Sequence, residues 1–257
     1  MAARRKTPRI DAHKIAVLLR GGLLPQAYVS PAEMRATRDL LRRRMYLTRK
    51  RAALLAHIQT TNSQYTLPEI GKKLASNAPR AGVAERFPAP AVQKSMDVDL
   101  ALLGSDEPLL RALELHIVKA AKQHDAHPLY LLQTVPGIGK ILSLVLLYEI
   151  HDLQRFPRVQ DFVSSCRLVK CAKESAGTRY GTAGAKIGHA YLTWAFSEAA
   201  GLFLRDNPAG HTSLTRLENK HGQGNALTRL AQQRGRAVYD MLQRQKAFDM
   251  DRLLQGE

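Results

Sequence analysis

The sequence predicts a mainly helical protein: a long basic helix of coiled-coil character leads into a compact helical domain holding a helix-hairpin-helix-like element and a small β-hairpin. Apolar residues recur at spacings of three and four through most of the chain, the mark of helices with one buried face. Gly-Gly and Ser-Pro steps fall where those helices stop and start. Only around residues 168–182, where glycines crowd in, does the rhythm give way to a short hairpin.

Near the start, "RIDAHKIAVLLR" places Ile10, Ile15, Leu18 and Leu19 on one side of a short helix, which "GGLLP" ends. In "SPAEM", Ser30, Pro31 and Glu33 read as a capping box with proline at the first helical position. The helix that follows carries Leu41, Met45, Thr48, Ala52 and Leu55 at a 4-3-4-3 spacing, a seam that needs a partner helix. Its other side bears Arg35, Arg38, Arg42, Arg43, Arg44, Arg49, Lys50 and Arg51 against Asp39 alone, a face either solvated or set against phosphate. Residues 75–95, rich in proline and small side chains, read as a linker or irregular crossing. Leu109, Leu113, Ile117, Ala120 and His124 then mark a long amphipathic helix. His124 and His127 lie at its end, and with no third ligand spaced to join them they read as a helix terminus, not a metal pair. Lys140 to Ile150 is apolar almost all round and is expected to be buried. Core helices follow at Leu192, Phe196, Ala199 and Phe203, and again at Leu227, Leu230, Val238, Met241 and Leu242, with Trp194 in a packing role.

The 39 Lys and Arg against 22 Asp and Glu give a formal net charge of +17, which points to a polyanionic partner, nucleic acid first. Hydrophobic residues make up 45% of the chain, enough to build cores. Cys166 and Cys171 are too few for a disulfide framework and lack a second ligand pair, so they read as reduced thiols in a cytoplasmic protein. No run approaches the ~20 apolar residues of a membrane span. "MAARRKTPRID" has no apolar core of the kind a signal peptide needs.

Two segments carry chemistry. In "VPGIGK", Gly137 and Gly139 let the backbone approach a neighbour and leave N–H groups at a helix N-terminus, where a phosphate oxygen is stabilised and Lys140 adds charge. This is the form of the hairpin that holds a phosphodiester backbone without reading bases. In "RLVKCAKESAGTRYGTAGAKIGHAYLTWAFSEAA", Gly177, Gly181, Gly184 and Gly188 recur at spacings of 4, 3 and 4, interleaved with Lys170, Lys173, Arg179 and Lys186. Such a backbone can lie against phosphate with cations around it. Ser175 sits there, but a serine needs activation to attack phosphorus, and by chemistry alone Ser164, Ser165 and Ser197 are its rivals.

Four blocks in order, "TVPGIGKILSLVLLYEIHDLQRFP", "SCRLVKCAKESAGTRYG", "KIGHAYLTWAFSEAA" and "KHGQGNALTRLAQQRGRAVYDMLQRQKAFD", resemble the C-terminal transposase domain of the DEDD-type insertion-sequence transposases, the bridge-RNA-guided recombinases. "RIDAHKIAVLLRGGLLPQAYV" and "RKRAALLAHIQTTNSQYTLP" resemble the end of that family's RuvC-like domain and the start of its coiled-coil linker. The resemblance implies a RuvC-like remnant at 1–29, a coiled-coil and linker region at 30–124 and a transposase domain at 125–257. It implies DNA strand cleavage and transfer with Ser175 of "KESAG" as nucleophile. From the residues themselves, Gly137, Gly139, Lys140, Lys173, Arg179, Lys186, Arg43 and Arg44 are the expected DNA-binding residues. The family's Mg2+ is held by four acids, the last two as Asp-x-x-Asp. In "PRID" Asp11 is present but Pro8 takes the other place, so the metal set is incomplete and the chain is expected to be truncated and inactive by itself. DNA, a guide RNA and a second copy joined through the coiled coil are the partners implied. The alternatives are a catalytically dead DNA-binding remnant and a helix-hairpin-helix repair or structural protein.

Overall fold

The computed structural model describes residues 8–24, 28–71, 74, 80–122, 126–175, 178–184, 188–205 and 207–250, without the side chains of 170–175, 179–180 and 182–184. The elements in chain order are α1 (Pro8–Arg20), α2 (Ala32–Gln64), a 3-10 turn (Ala84–Arg86), α3 (Pro90–Ala121), α4 (Ala126–Gln133), α5 (Lys140–Ile150), α6 (Val159–Ser165), β1 (Lys170–Ser175), β2 (Thr178–Gly184), α7 (Ala190–Leu204), α8 (Pro208–His221) and α9 (Gln223–Arg244). The protein is mainly helical, and no helix among the described residues is long and apolar enough to cross a membrane. Two compact units divide it, Met1–Ala32 and Glu33–Glu257. In the first, none of the residues of α1 is buried, Ile15 and Leu19 of its apolar side included.

In the second unit, α2 and α3 run antiparallel, tied by Arg44 to Glu114 at 2.7 Å, Arg51 to Glu107 at 3.0 Å and His57 to Asp99 at 2.5 Å. The first two ties are seven residues apart on each helix, two turns, so they lie on one face of each. These ties run through Arg44, Arg51 and His57, beside the seam residues of α2. Leu41 and Met45 of the expected seam are buried, but Ala52 is exposed and Ile58, outside it, is fully buried. Thr48 and Leu55 of the seam are half-buried. Ile58 stands three heptads from the buried Thr37, on the row through Arg44 and Arg51 that faces α3. The seven-residue repeat therefore holds, while its second row lies one position before Met45 and Ala52. In α3, Ile117 of the expected face is buried and Leu113 and Ala120 are half-buried, but Leu109 is exposed. The buried residues Met96, Leu103, Leu110 and Ile117 recur every seven positions on a row that takes Leu110 in place of Leu109. α3 also begins at Pro90, inside the stretch read as a linker. Proline at the first helical position loses no hydrogen bond, so it opens this helix instead of interrupting it.

Ile58, Leu74, Ala84, Phe87, Met96 and Leu103 form a small core between the far end of α2 and the start of α3. A larger core joins Met34 and Leu41 of α2 and Ile117 and Ala121 of α3 to the helices from α4 to α9. Its centre is Phe162, whose ring meets Phe156 at 5.3 Å, Tyr239 at 5.6 Å and Phe196 at 6.0 Å. α5 is buried almost all round, and Leu192, Phe196, Ala199 and Phe203 of α7 are fully buried against it. In α9, Leu230, Val238, Met241 and Leu242 are buried, whereas Leu227 is exposed.

β1 and β2 pair antiparallel, with Lys170 opposite Gly184, Lys173 opposite Gly181 and Ser175 opposite Thr178, and the register shifts between Lys173 and Glu174.

Candidate functional site

The turn between α4 and α5 is closed by Ile138 N–H donating to the Val135 carbonyl at 2.9 Å, with both side chains buried beneath it. Gly137 stands at φ +85°, and a Cβ there would lie 2.6 Å from the Ala199 carbonyl oxygen and 2.7 Å from the Phe203 nitrogen. The close approach that the sequence assigns to Gly137 is therefore made to α7. Gly139 differs: nothing lies within 4 Å of a Cβ at this position, and it is the exposed N-cap of α5, with no side chain of its own to cap the helix. The first N–H groups of α5 have no intrahelical acceptor, and Lys140 is exposed beside them. An anion is stabilised at such an end by the helix dipole and by the lysine charge together.

Beneath the turn lies a residue the sequence reading missed. Arg234 of α9 is fully buried, donates through Nη2 to the Pro136 carbonyl and lies 3.8 Å over the Phe203 ring. Its Nε and Nη1 have no hydrogen-bond partner among the described residues, and burial pushes its pKa down to about 10. The signal was present in the pattern, since Arg234 is four residues from both Leu230 and Val238, on the apolar face of α9.

Ser175 ends β1 at the tip of the hairpin, where Glu174 pairs with Arg179. The side chains of Lys173, Ser175 and Arg179 lie outside the described residues, as does all of Lys186 and His124. The feet of the hairpin are fixed more fully. Leu168 N–H donates to the Val163 carbonyl at 2.9 Å, and His189 N–H to the Ser165 carbonyl at 2.8 Å. Gly188 has φ +129° and passes so close to α6 that a Cβ would lie 2.8 Å from the Ser165 carbonyl oxygen. Thr193 of α7 donates to the Cys166 carbonyl at 2.8 Å, and burial raises the pKa of the Cys166 thiol.

A second group that local pattern did not reveal lies at the same foot. Glu149, with a side chain 1% exposed, accepts from Arg42 Nε and Nη2, both at 2.8 Å, and lies 3.1 Å from His189 Nε2. The Arg42 guanidinium also covers the Tyr191 ring at 4.4 Å. Burial alone would raise the Glu149 pKa, but the hydrogen bonds from His189 and Arg42 outweigh it and hold the carboxyl below its ordinary value. Its signal was a lone carboxylate in an otherwise apolar helix, which needs a partner when buried.

The basic side of α2 is only partly open. Arg42 meets Glu149, Arg44 meets Glu114 and Arg51 meets Glu107, while Arg43, Arg49 and Lys50 are exposed, with Arg43 and Lys50 flanking Tyr46 at 5.0 and 5.6 Å. Asp11 lies in the first turn of α1, exposed. Among the described residues no group of three or more His, Cys, Asp and Glu is placed to hold a metal ion.

Residues 129–214, from α4 into α8, match the model of the Transposase IS116/IS110/IS902 family. The chain is 30% identical over 135 residues to the "Insertion element IS110 uncharacterized 43.6 kDa protein" of Streptomyces coelicolor. That match takes in 51% of this chain and 32% of the relative, so the chain spans about a third of the relative's length.

Proposed function

We propose that this chain is insertion-sequence transposase machinery that holds DNA by its phosphates and uses Ser175 to cleave and transfer a strand. The observation that carries the reading is the placement of the family match, which runs across both the uncapped α5 start and the hairpin that ends β1 at Ser175. In the proposed step the Ser175 oxygen attacks phosphorus and a new O–P bond forms. The P–O bond to one sugar breaks, and the serine proton ends on the released sugar hydroxyl. One phosphodiester replaces another, so the step needs no hydrolysis and runs backwards to rejoin strands. Lys173 and Arg179, both on the hairpin, are the cations proposed to offset the charge that builds on the phosphate oxygens. Gly139 and Lys140 at the start of α5, with Arg43 and Lys50 on α2, supply the phosphate contacts.

The test is a denaturing gel of the full chain after incubation with end-labelled duplex and single-stranded DNA, with and without magnesium. A covalent protein–DNA adduct that maps to Ser175 and is absent from Ser175→Ala is the expected result. DNA binding without any adduct would leave a DNA-binding remnant and remove the serine from the proposal. Failure to bind either DNA would remove both.

A further inference from the structure

We propose that Glu149, His189 and Arg42 are positioning residues that fix the foot of the β1–β2 hairpin and through it the pose of Ser175. The proposal rests on the reading of Ser175 as nucleophile for its function, and on the geometry of the foot alone for its mechanics. A two-stranded hairpin has little stability of its own, so its aim depends on where its ends are held. Here both ends are held at the C-terminus of α6: Leu168 on the way in, and Gly188 and His189 on the way out.

His189 has two separate tasks, one for each ring nitrogen. Nδ1 accepts the Leu192 N–H at 3.4 Å and so caps α7. An accepting Nδ1 leaves the proton of a neutral imidazole on Nε2, the atom 3.1 Å from the Glu149 carboxylate. The cap therefore sets the tautomer that donates to Glu149. Arg42 approaches the same carboxylate from α2 with a two-pronged grip and stacks on Tyr191, two residues past His189. Three elements far apart in sequence, α2, α5 and the start of α7, thus converge on one buried carboxylate beside the hairpin exit. A carboxylate with 1% exposure and a guanidinium fork on it is held more firmly than a surface pair, because losing either partner strands a charge out of water. For a group that has only to aim another, a displacement of ~1 Å is enough to cost ~10²-fold in rate.

The test separates positioning from folding with three variants of the full chain. Glu149→Gln keeps the shape and removes the charge. His189→Asn keeps a side chain that can cap α7 but removes the Nε2 donor. Arg42→Lys keeps the charge and removes the fork. Hydrogen–deuterium exchange is measured over residues 170–184 and, as the internal reference, over α5 and α9. The expected result is faster exchange in 170–184 with α5 and α9 unchanged, together with adduct formation slowed by ~10- to 10²-fold at saturating DNA and no loss of DNA affinity. Exchange that rises equally everywhere would assign the cluster to global stability and overturn the proposal. So would hairpin exchange and adduct rates equal to wild type. If wild type itself forms no Ser175 adduct, the proposed nucleophile fails, and the exchange measurement still decides whether the clamp exists.

Discussion

Gly137 and Gly139 are two positions apart in one turn and tolerate change very differently. Alanine at 137 would have to adopt φ +85° and push its methyl to 2.6 Å from a backbone oxygen, so Gly137→Ala should lower stability by ~1–3 kcal/mol or more, read as a fall in the urea midpoint. Gly139→Ala meets open space at φ −81° and should cost about 0.5 kcal/mol, the difference between glycine and alanine as an N-cap. Equal losses at the two sites would mean that the turn is not pressed on α7. Arg234→Ala empties a fully buried volume and leaves the Pro136 carbonyl without its donor, but it also removes a buried charge whose Nε and Nη1 have no partner among the described residues. Its loss in the urea midpoint should therefore stay below the ~2–5 kcal/mol of an apolar core deletion. Glu149 gives a pH signature. Its depressed carboxyl adds stability that is fully present above the ordinary value of 4.5 and is lost as pH falls through the lower folded value. The stability gap between wild type and Glu149→Gln should therefore close on the acid side, as pH falls below 4.5 through the folded value of Glu149. Parallel curves down to the acid transition would show that Glu149 is not held ionised.

Between α2 and α3 the relevant balance is between ion pairs and apolar burial. The Arg44–Glu114 side chains are 20% and 36% exposed, and a pair that open to solvent is worth only ~0.2–1 kcal/mol. Leu103, fully buried against Ile58 and Met96 in the small core, should cost ~2–5 kcal/mol when cut to alanine. A double-mutant cycle on Arg44 and Glu114 is thus expected to give a small coupling that shrinks in high salt. A coupling as large as the Leu103→Ala loss would reverse this order and make the charges the main tie. The pairing also changes how α2 is to be probed for phosphate contact. Reversing Arg44 to Glu would set two carboxylates against each other and disturb the helix pair itself, whereas Arg43→Glu and Lys50→Glu alter only the exposed side.

For the molecule as a whole, the 39 Lys and Arg overstate the cations available to DNA, since Arg42, Arg44 and Arg51 face carboxylates. If ~4 phosphates are met by the α5 start and the exposed cations of α2, affinity should fall by ~10²-fold between ~50 and ~200 mM salt. The unpaired charge read from the sequence would have predicted ~6–10 phosphates and a fall of ~10³- to 10⁵-fold. A flat titration would remove both regions from the interface, and a fall of the larger size would require more of the chain's cations at the phosphates than these.

What the sequence determined by itself is what local spacing can carry. The apolar run from Lys140 to Ile150, the stripe through Leu192, Phe196, Ala199 and Phe203, and the glycine that the turn before α5 demands at 137 each follow from periodicity or from a backbone angle within a few residues. In the α2 seam and the face of α3 the error was a shift of one position within the repeat, because neighbouring rows of a helix both carry side chains able to face a partner and spacing alone does not choose between them. Only the tertiary structure decided which charges meet. Arg42 and Glu149 are 107 positions apart, and Arg234 reaches Pro136 across 98, and no local spacing records a partner at that distance. A buried charge must find its counterpart or a carbonyl because water is gone, but which one it finds is settled by how the helices pack.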